Sequence, residues 1–145
     1  MFAKILIPTD GSRLAVTAAE NAIAFARDAN ASVVFVCVIE PFRIFTTDSD
    51  KLAASREDYD LLSDEQAVQF LNEVELRARH QGVACHTVKL RSDEVHQAII
   101  EAAVLHGCDL IAMGSHGRGG VAALILGSVT NKVLSHSRIP VLVYR

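Results

Sequence analysis

Residues 32–39 (Ser-Val-Val-Phe-Val-Cys-Val-Ile) are apolar after the first position and mostly β-branched. A strand with one wet face alternates apolar with polar residues. This run does not, so it predicts a strand covered on both faces, as in a parallel sheet flanked by helices. Residues 3–8 form a second such run, closed by Pro8 and by the turn signals Asp10 and Gly11. Between the two runs, Ser12 is placed to cap an Ala-rich helix over about 13–29, and Asn30 to end it in the left-handed conformation.

The rest of the chain repeats the theme. Residues 40–61 show no clear period, and a connection this long predicts a mobile flap with a helical piece near Leu52. Ser63, Asp64, Glu65 and Gln66 form a capping-box pattern with Leu62 as its staple. Ala67, Leu71, Val74 and Ala78 then recur at helical spacing, and Gly82 ends the helix. A third strand is predicted over 83–90, with Val83, Cys85, Thr87 and Lys89 alternating against Ala84, His86, Val88 and Leu90. Ser92 is placed to cap a helix with Asp93 and Glu94 in its first turn, Val95, Ile99, Ala102 and His106 on one face, and Gly107 at its close. Residues 109–113, 128–137 and 140–144 complete the pattern as strand, helix and strand.

This β-α-β-α-β-α-β-α-β order predicts one α/β domain over 1–145, a doubly wound five-stranded parallel sheet with helices on both faces. Such sheets bind ligands beyond the carboxyl ends of their strands, where the winding reverses. Strand orders 3-2-1-4-5 and 2-1-3-4-5 both fit the element string. In the first, strands one and four are neighbours. The loops Thr9-Asp10-Gly11 and Gly114-Ser115-His116-Gly117 then flank one crevice.

Composition excludes several classes. At 145 residues, one domain buries roughly 68–70% of its unfolded surface. The chain has no Trp, 6% aromatic residues and a formal net charge of −3, which argues against nucleic acid and acidic lipid as partners. Cys37, Cys85 and Cys108 form no CxxC or CxxH pattern and are expected to be buried, reduced thiols. His80, His86, His96, His106 and His136 make no metal-ligand spacing. The first eight residues do not resemble a signal peptide. The longest apolar run, 31–39, is far short of the roughly 20 residues that span a bilayer. A cytoplasmic protein is expected.

The residues that carry chemistry follow strand four. Two residues separate Gly114 from Gly117, and after nine more Gly127 and Ser128 open a helix. Glycines let backbone N–H groups approach an anion, and a helix start adds free donors and the positive end of a dipole. The hydroxyls of Ser115, Ser128 and Thr130 can donate as well, and Arg118 and Lys132 can neutralise phosphate. On spacing alone, a plain turn and helix cap fit equally well. His116 fits a hydrogen-bonded loop histidine better than a general base. Neither a P-loop Gly-x-x-x-x-Gly-Lys-Ser/Thr nor a Gly-x-Gly-x-x-Gly after the first strand occurs.

The run from Asp109 to Arg145 resembles the ATP-binding branch of the universal stress protein family, marked by Gly, two residues, Gly, nine residues, then Gly and Ser or Thr. Gly114, Gly117, Gly127 and Ser128 match it in place, and residues 4–12 and 139–143 are similar to the family's first and last strands. The resemblance implies the 3-2-1-4-5 order, an adenine nucleotide alpha hydrolase-like arrangement. It implies that Asp10 bonds the ribose, that Val38 meets the adenine through its backbone, and that Pro8, Thr9 and Met113 line the nucleoside pocket. Gly114, Ser115, Gly117, Gly127, Ser128, Val129 and Thr130 would hold the triphosphate, with Mg²⁺ or Mn²⁺ beside it. It further implies a stress-response homodimer paired through the last strand. The lack of an evident base or arginine finger for in-line water attack adds the expectation that ATP is bound with little or no hydrolysis. A weak ATPase or phosphotransferase using Asp10 and a metal, with His116 as a further candidate, and an interaction dimer without nucleotide, are the alternatives. One departure stands: the family's usual Gly and Pro after strand three are Ser92 and Asp93 here.

Overall fold

The computed structural model describes residues 1–42, 49–116 and 126–145, and their side chains apart from those of 49–54. Its elements are β1 (Lys4–Pro8), α1 (Arg13–Ala29), β2 (Ser32–Ile39), α2 (Ser49–His80), β3 (Cys85–Arg91), α3 (Val95–Leu105), β4 (Leu110–Gly114), α4 (Ser128–His136) and β5 (Val141–Tyr144). The strands pair in parallel in the order β3-β2-β1-β4-β5. Of the two orders the sequence allowed, this is the one that sets β1 beside β4.

Alternation along the central strands divides the core in two. Ile5 and Ile7 of β1, Val33, Phe35, Cys37 and Ile39 of β2, and Leu110 and Ala112 of β4 pack with buried residues of α1 and α2. Leu6, Val34, Val36, Ile111 and Met113 point the other way, against Ile99, Ala102 and Ala103 of α3 and Val133 of α4. Period-two side chains on a sheet covered twice require apolar residues at every position. The edge strand β3 is wetter. Its exposed Lys89 and Arg91 pair with Asp60 and Asp64 of α2, and such charges discourage edge-to-edge association.

Helix ends follow local chemistry. Ser12 Oγ accepts the Ala15 N–H at 3.1 Å, and Asn30 closes α1 at φ 55°. The buried residues Ala67, Leu71, Val74 and Ala78 carry α2 onto the sheet. Its start differs from expectation, because the helix runs unbroken from Ser49 and places the supposed capping box in its interior. Ser63 Oγ donates to the Asp60 carbonyl at 3.2 Å, and Leu62 is exposed and staples nothing. Upstream residues rich in Ala, Leu, Glu, Arg and Lys let the helix propagate through a cap signal that needs a non-helical residue before it. The helix expected near Leu52 is thus part of α2, and the flap expected around it falls partly on 43–48, outside the described residues.

Two strand and helix starts also shift. Val83 belongs to the end of α2, where Gly82 has φ 71° and the Val83 N–H reaches the Ala78 carbonyl at 2.9 Å, so β3 begins at Cys85. Ser92 does not cap α3. Its Oγ accepts the Glu94 N–H at 3.1 Å in a tight turn, Glu94 stands at the cap position, and Asp93 faces solvent. Cys37 and Cys108 are buried free thiols, whereas Cys85 is only half-buried. Burial pushes the Cys108 thiol up to about 11 and raises that of Cys85. No helix among the described residues is long and apolar enough to cross a membrane.

The amino end of β1 is tied to β4 by Asp109, whose carboxylate accepts the N–H groups of Ala3 at 2.9 Å and Lys4 at 3.1 Å. Partial burial opposes ionisation, but these bonds outweigh it and hold the carboxyl below its ordinary 3.8. A group depressed in the folded state releases stability as the unfolded chain takes up protons first. The contribution is therefore full above pH 3.8 and lost as pH falls through the lower folded value. Urea unfolding of wild type against Asp109→Asn should show a stability gap at about pH 6 that narrows as the pH is lowered towards about 3, where the unfolded chain's carboxyl already takes up its proton; a gap independent of pH contradicts this.

Candidate functional site

The carboxyl ends of β2, β1 and β4 lie side by side, at the place where a doubly wound sheet parts into a crevice. β2 extends beyond β1, since Pro8 pairs with Val36, the last residue in that register. The Thr9 N–H still reaches the Val36 carbonyl at 2.8 Å. Strand alternation turns the backbone of Val38 to the same edge, beyond the end of β1. A flat heterocycle with an amide-like edge has a hydrogen-bonding rail there.

Beside it stands the β1–α1 turn. Asp10 Oδ1 accepts the Ser12 N–H at 2.9 Å, and Thr9 Oγ1 accepts the Gly11 N–H at 3.3 Å. Gly11 has φ 77°, and a Cβ there would stand 2.3 Å from the ring of Phe70. Only glycine satisfies both the turn and the packing of α2 behind it. Thr9 is buried, while Pro8 and Asp10 are partly exposed at the rim.

Across the crevice, the end of β4 is pinned to the start of α4. The Gly127 N–H donates to the Ser115 carbonyl at 2.7 Å, and Thr130 Oγ1 donates to the Gly114 carbonyl at 2.9 Å. The Ser115 N–H binds the Tyr144 carbonyl at 2.7 Å, locking the same turn to β5. The α4 cap position is Gly127, which has no side chain to satisfy the helix start, and the first turn carries no acidic residue. The N–H groups of Ser128, Val129 and Thr130 lack partners within the helix by geometry, so they present a cluster of donors. Ser128 is exposed, and Val129 anchors its side chain in the α3–α4 core. At Gly114 a Cβ would meet Ala18 Cβ at 3.3 Å, so glycine here lets α1 lie close over β4.

The structure thus gathers Pro8, Thr9, Asp10, Val38, Gly114, Ser115, Gly127, Ser128, Val129 and Thr130 around the crevice. Three roles sharpen. The Thr130 hydroxyl hydrogen is committed to Gly114, leaving that residue its backbone N–H as a donor. Met113 is buried in the α3–α4 core beneath the crevice. Lys132 is exposed on α4. Gly117 and Arg118 lie outside the described residues. Sequence reasoning missed two features, both tertiary: the pairing of Thr130 with Gly114, and the ring contact of His96 with His136 at 5.3 Å between α3 and α4. No spacing signal marks either. Elsewhere, a groove of about 360 Å³ between α1 and α2 is lined by Glu20, Ile23, Leu76, Arg77, His80 and Gln81. It lies towards the amino end of β3, and the Arg77–Glu20 ion pair crosses it.

The family model described as the universal stress protein family matches residues 1–145. Universal stress protein MJ0531 of Methanocaldococcus jannaschii is 32% identical over 150 residues, covering 100% of this chain and 83% of that protein. The solved structure of MJ0577 from the same organism is 29% identical with a TM-score of 0.75, covering 99% of this chain and 95% of that one. A universal stress protein of Archaeoglobus fulgidus, solved in complex with dAMP, shares the fold at 21% identity and a TM-score of 0.68, over 99% of this chain and 98% of that one.

Proposed function

The chain belongs to the universal stress protein family, and from that premise we propose that it binds ATP in the crevice between β1 and β4 and serves as a nucleotide-responsive regulatory homodimer in the cytoplasm. The observation that carries the reading is the uncapped start of α4, fixed by two hydrogen bonds to the carboxyl end of β4, the strand beside β1. A glycine cap with no acidic neighbour is a poor way to finish a helix in water and a good way to receive phosphate oxygens.

In this reading the Val38 backbone meets the adenine edge, Asp10 the ribose, and Pro8 and Thr9 the nucleoside. The buried Met113 supports the pocket from below. The backbone N–H groups around Gly114, Ser115, Gly127, Ser128, Val129 and Thr130 hold the phosphates, and Gly117 and Arg118, which fall between β4 and α4 in the sequence, complete the set. The same fold accommodates dAMP in the Archaeoglobus protein, which supports an adenine nucleotide as the ligand class. Among the described residues no three His, Cys, Asp or Glu side chains are grouped to hold a metal. Mg²⁺ or Mn²⁺ would therefore be held mainly through the phosphates, as suits a hard ion that keeps its waters. The described residues favour holding over hydrolysis. Asp10 is engaged with the Ser12 N–H, and His116 is buried beside Ser115.

Gly127 sits at φ −60° and ψ 154°, a conformation open to any residue, so its backbone does not require glycine. Gly127→Val should therefore fold normally and lose ATP affinity at least ~100-fold, as a branched side chain fills space that a phosphate needs, a loss of about 2.7 kcal/mol. Calorimetric titration with ATP and Mg²⁺ checks this. Wild-type protein that fails to bind millimolar ATP, or a folded variant that binds as wild type does, removes the reading.

β5 offers the surface for a second copy. It is an edge strand, and the Pro140 and Tyr144 carbonyls point towards β4. Alternation turns the backbone groups of Val141 and Val143 outward, where they can pair with another chain. Val143→Pro deletes an outward N–H and leaves the β4 ladder intact. Light scattering should find wild type as a dimer and this variant as a folded monomer; a dimer that survives the substitution places the interface elsewhere.

A further inference from the structure

We propose that His96 and His136 bind one Zn²⁺ ion across the seam between α3 and α4. The site shares no residue with the crevice, and the proposal does not depend on the ATP-binding reading. His96 lies in the first turn of α3 and His136 at the end of α4, with ring centroids 5.3 Å apart and ring planes inclined at 47°. His136 Nδ1 lies 2.8 Å from the Lys132 carbonyl oxygen. A carbonyl only accepts, so Nδ1 carries the proton and Nε2 of the neutral ring presents a lone pair. At His96 the Glu94 carboxylate stands 3.7 Å from Nδ1, which favours a proton on that nitrogen and again a lone pair on Nε2. Neither Nε2 has a hydrogen-bond partner among the described residues.

This is how histidine is held when it binds a metal. One ring nitrogen faces the ion while the other donates to a carboxylate or a backbone carbonyl, which fixes the ring and raises its basicity. His96 has the carboxylate and His136 the carbonyl. The separation agrees as well. A Zn–N bond of about 2.0–2.1 Å places each ring centroid about 3.2 Å from the ion, and a tetrahedral angle then sets two centroids about 5.2 Å apart. The observed value is 5.3 Å. Two imidazoles suit Zn²⁺, whereas Mg²⁺ and Ca²⁺ take oxygen ligands. No third group among His, Cys, Asp and Glu completes the set among the described residues, so water fills the remaining positions and the ion stays exchangeable. His136 is exposed and His96 partly so, which opens the site to solvent. Ring packing alone would ask nothing of either Nδ1. An ion here ties the end of α4 to the start of α3, two helices otherwise joined by apolar contacts such as Ile99 with Val133.

The test is calorimetric titration of the full chain, free of any purification tag, with Zn²⁺ at about pH 7.5, where histidine binds metal as neutral imidazole. Wild type should take up one ion per chain and give no response to Mg²⁺ at the same concentration. His96→Gln and His136→Gln should each weaken Zn²⁺ binding about tenfold or more, and His86→Gln, at an exposed position of β3, should leave it unchanged. No binding of Zn²⁺ up to about 1 mM overturns the proposal, as does an affinity that either of the first two substitutions leaves intact. One ion shared by two chains, an equal loss in His86→Gln, or equal binding of Mg²⁺ overturns it too. Nitrogen-15 spectra of wild type test the same claim without a variant. Nδ1 of both rings should be protonated in the free protein, and Zn²⁺ should shift both Nε2 signals while each Nδ1 keeps its proton. A proton on either Nε2 before metal is added, or Nε2 signals that Zn²⁺ does not move, contradicts it.

Discussion

Burial of β1, β2 and β4 on both faces leaves the protein one place to recognise anything along its sheet. Side chains at successive positions of Ile5, Leu6 and Ile7, or of Val33 through Val36, are all consumed by packing between two helical layers. Only the strand ends are free to vary. Since β1 lies beside β4, and the helices that follow β1 and β4 pack on opposite faces, the chain parts at their carboxyl ends. The crevice follows from the winding of the sheet, and its residues are those the chain places on leaving each strand.

Holding a loop at such a place takes hydrogen bonds that do not depend on the ligand. Gly127 and Thr130 supply them from α4, Tyr144 from β5, and all three converge on Gly114 and Ser115. The donors of the helix start are thereby positioned before any ligand arrives, and preorganisation of this kind spares ordering entropy on binding. The Thr130 hydroxyl shows the trade involved. Its hydrogen is spent on fixing the start of α4 against the end of β4.

Most of the architecture was legible in residues whose environment is set by their neighbours in sequence. Two-sided strands announce themselves as unbroken apolar runs, and Ser12 and Asn30 cap α1 through local bonds. Where the outcome depended on competition, the sequence misled. The capping signal at Ser63 lost to helix propagation from Ser49, and Val83 was drawn into the end of α2 by the Gly82 turn instead of joining β3. The crevice residues were readable from the glycine spacing and the family resemblance. What they do for one another was not, because the Thr130–Gly114 bond spans 16 residues, and that Nε2 of His116 has no hydrogen-bond partner among the described residues is a property of packing. The distinction between Gly11, which the backbone and Phe70 both require, and Gly127, which has ordinary dihedral angles, likewise needed coordinates.

The central claim is a location as much as a ligand, and amide chemical-shift mapping during an ATP titration tests it most directly. The account predicts that the largest shifts fall on Asp10, Val38, Gly114, Ser115, Ser128, Val129 and Thr130, which sequence separates and the sheet brings together. Shifts centred instead on Glu20, Ile23, Leu76 and Arg77 would place the nucleotide in the groove between α1 and α2 and contradict it.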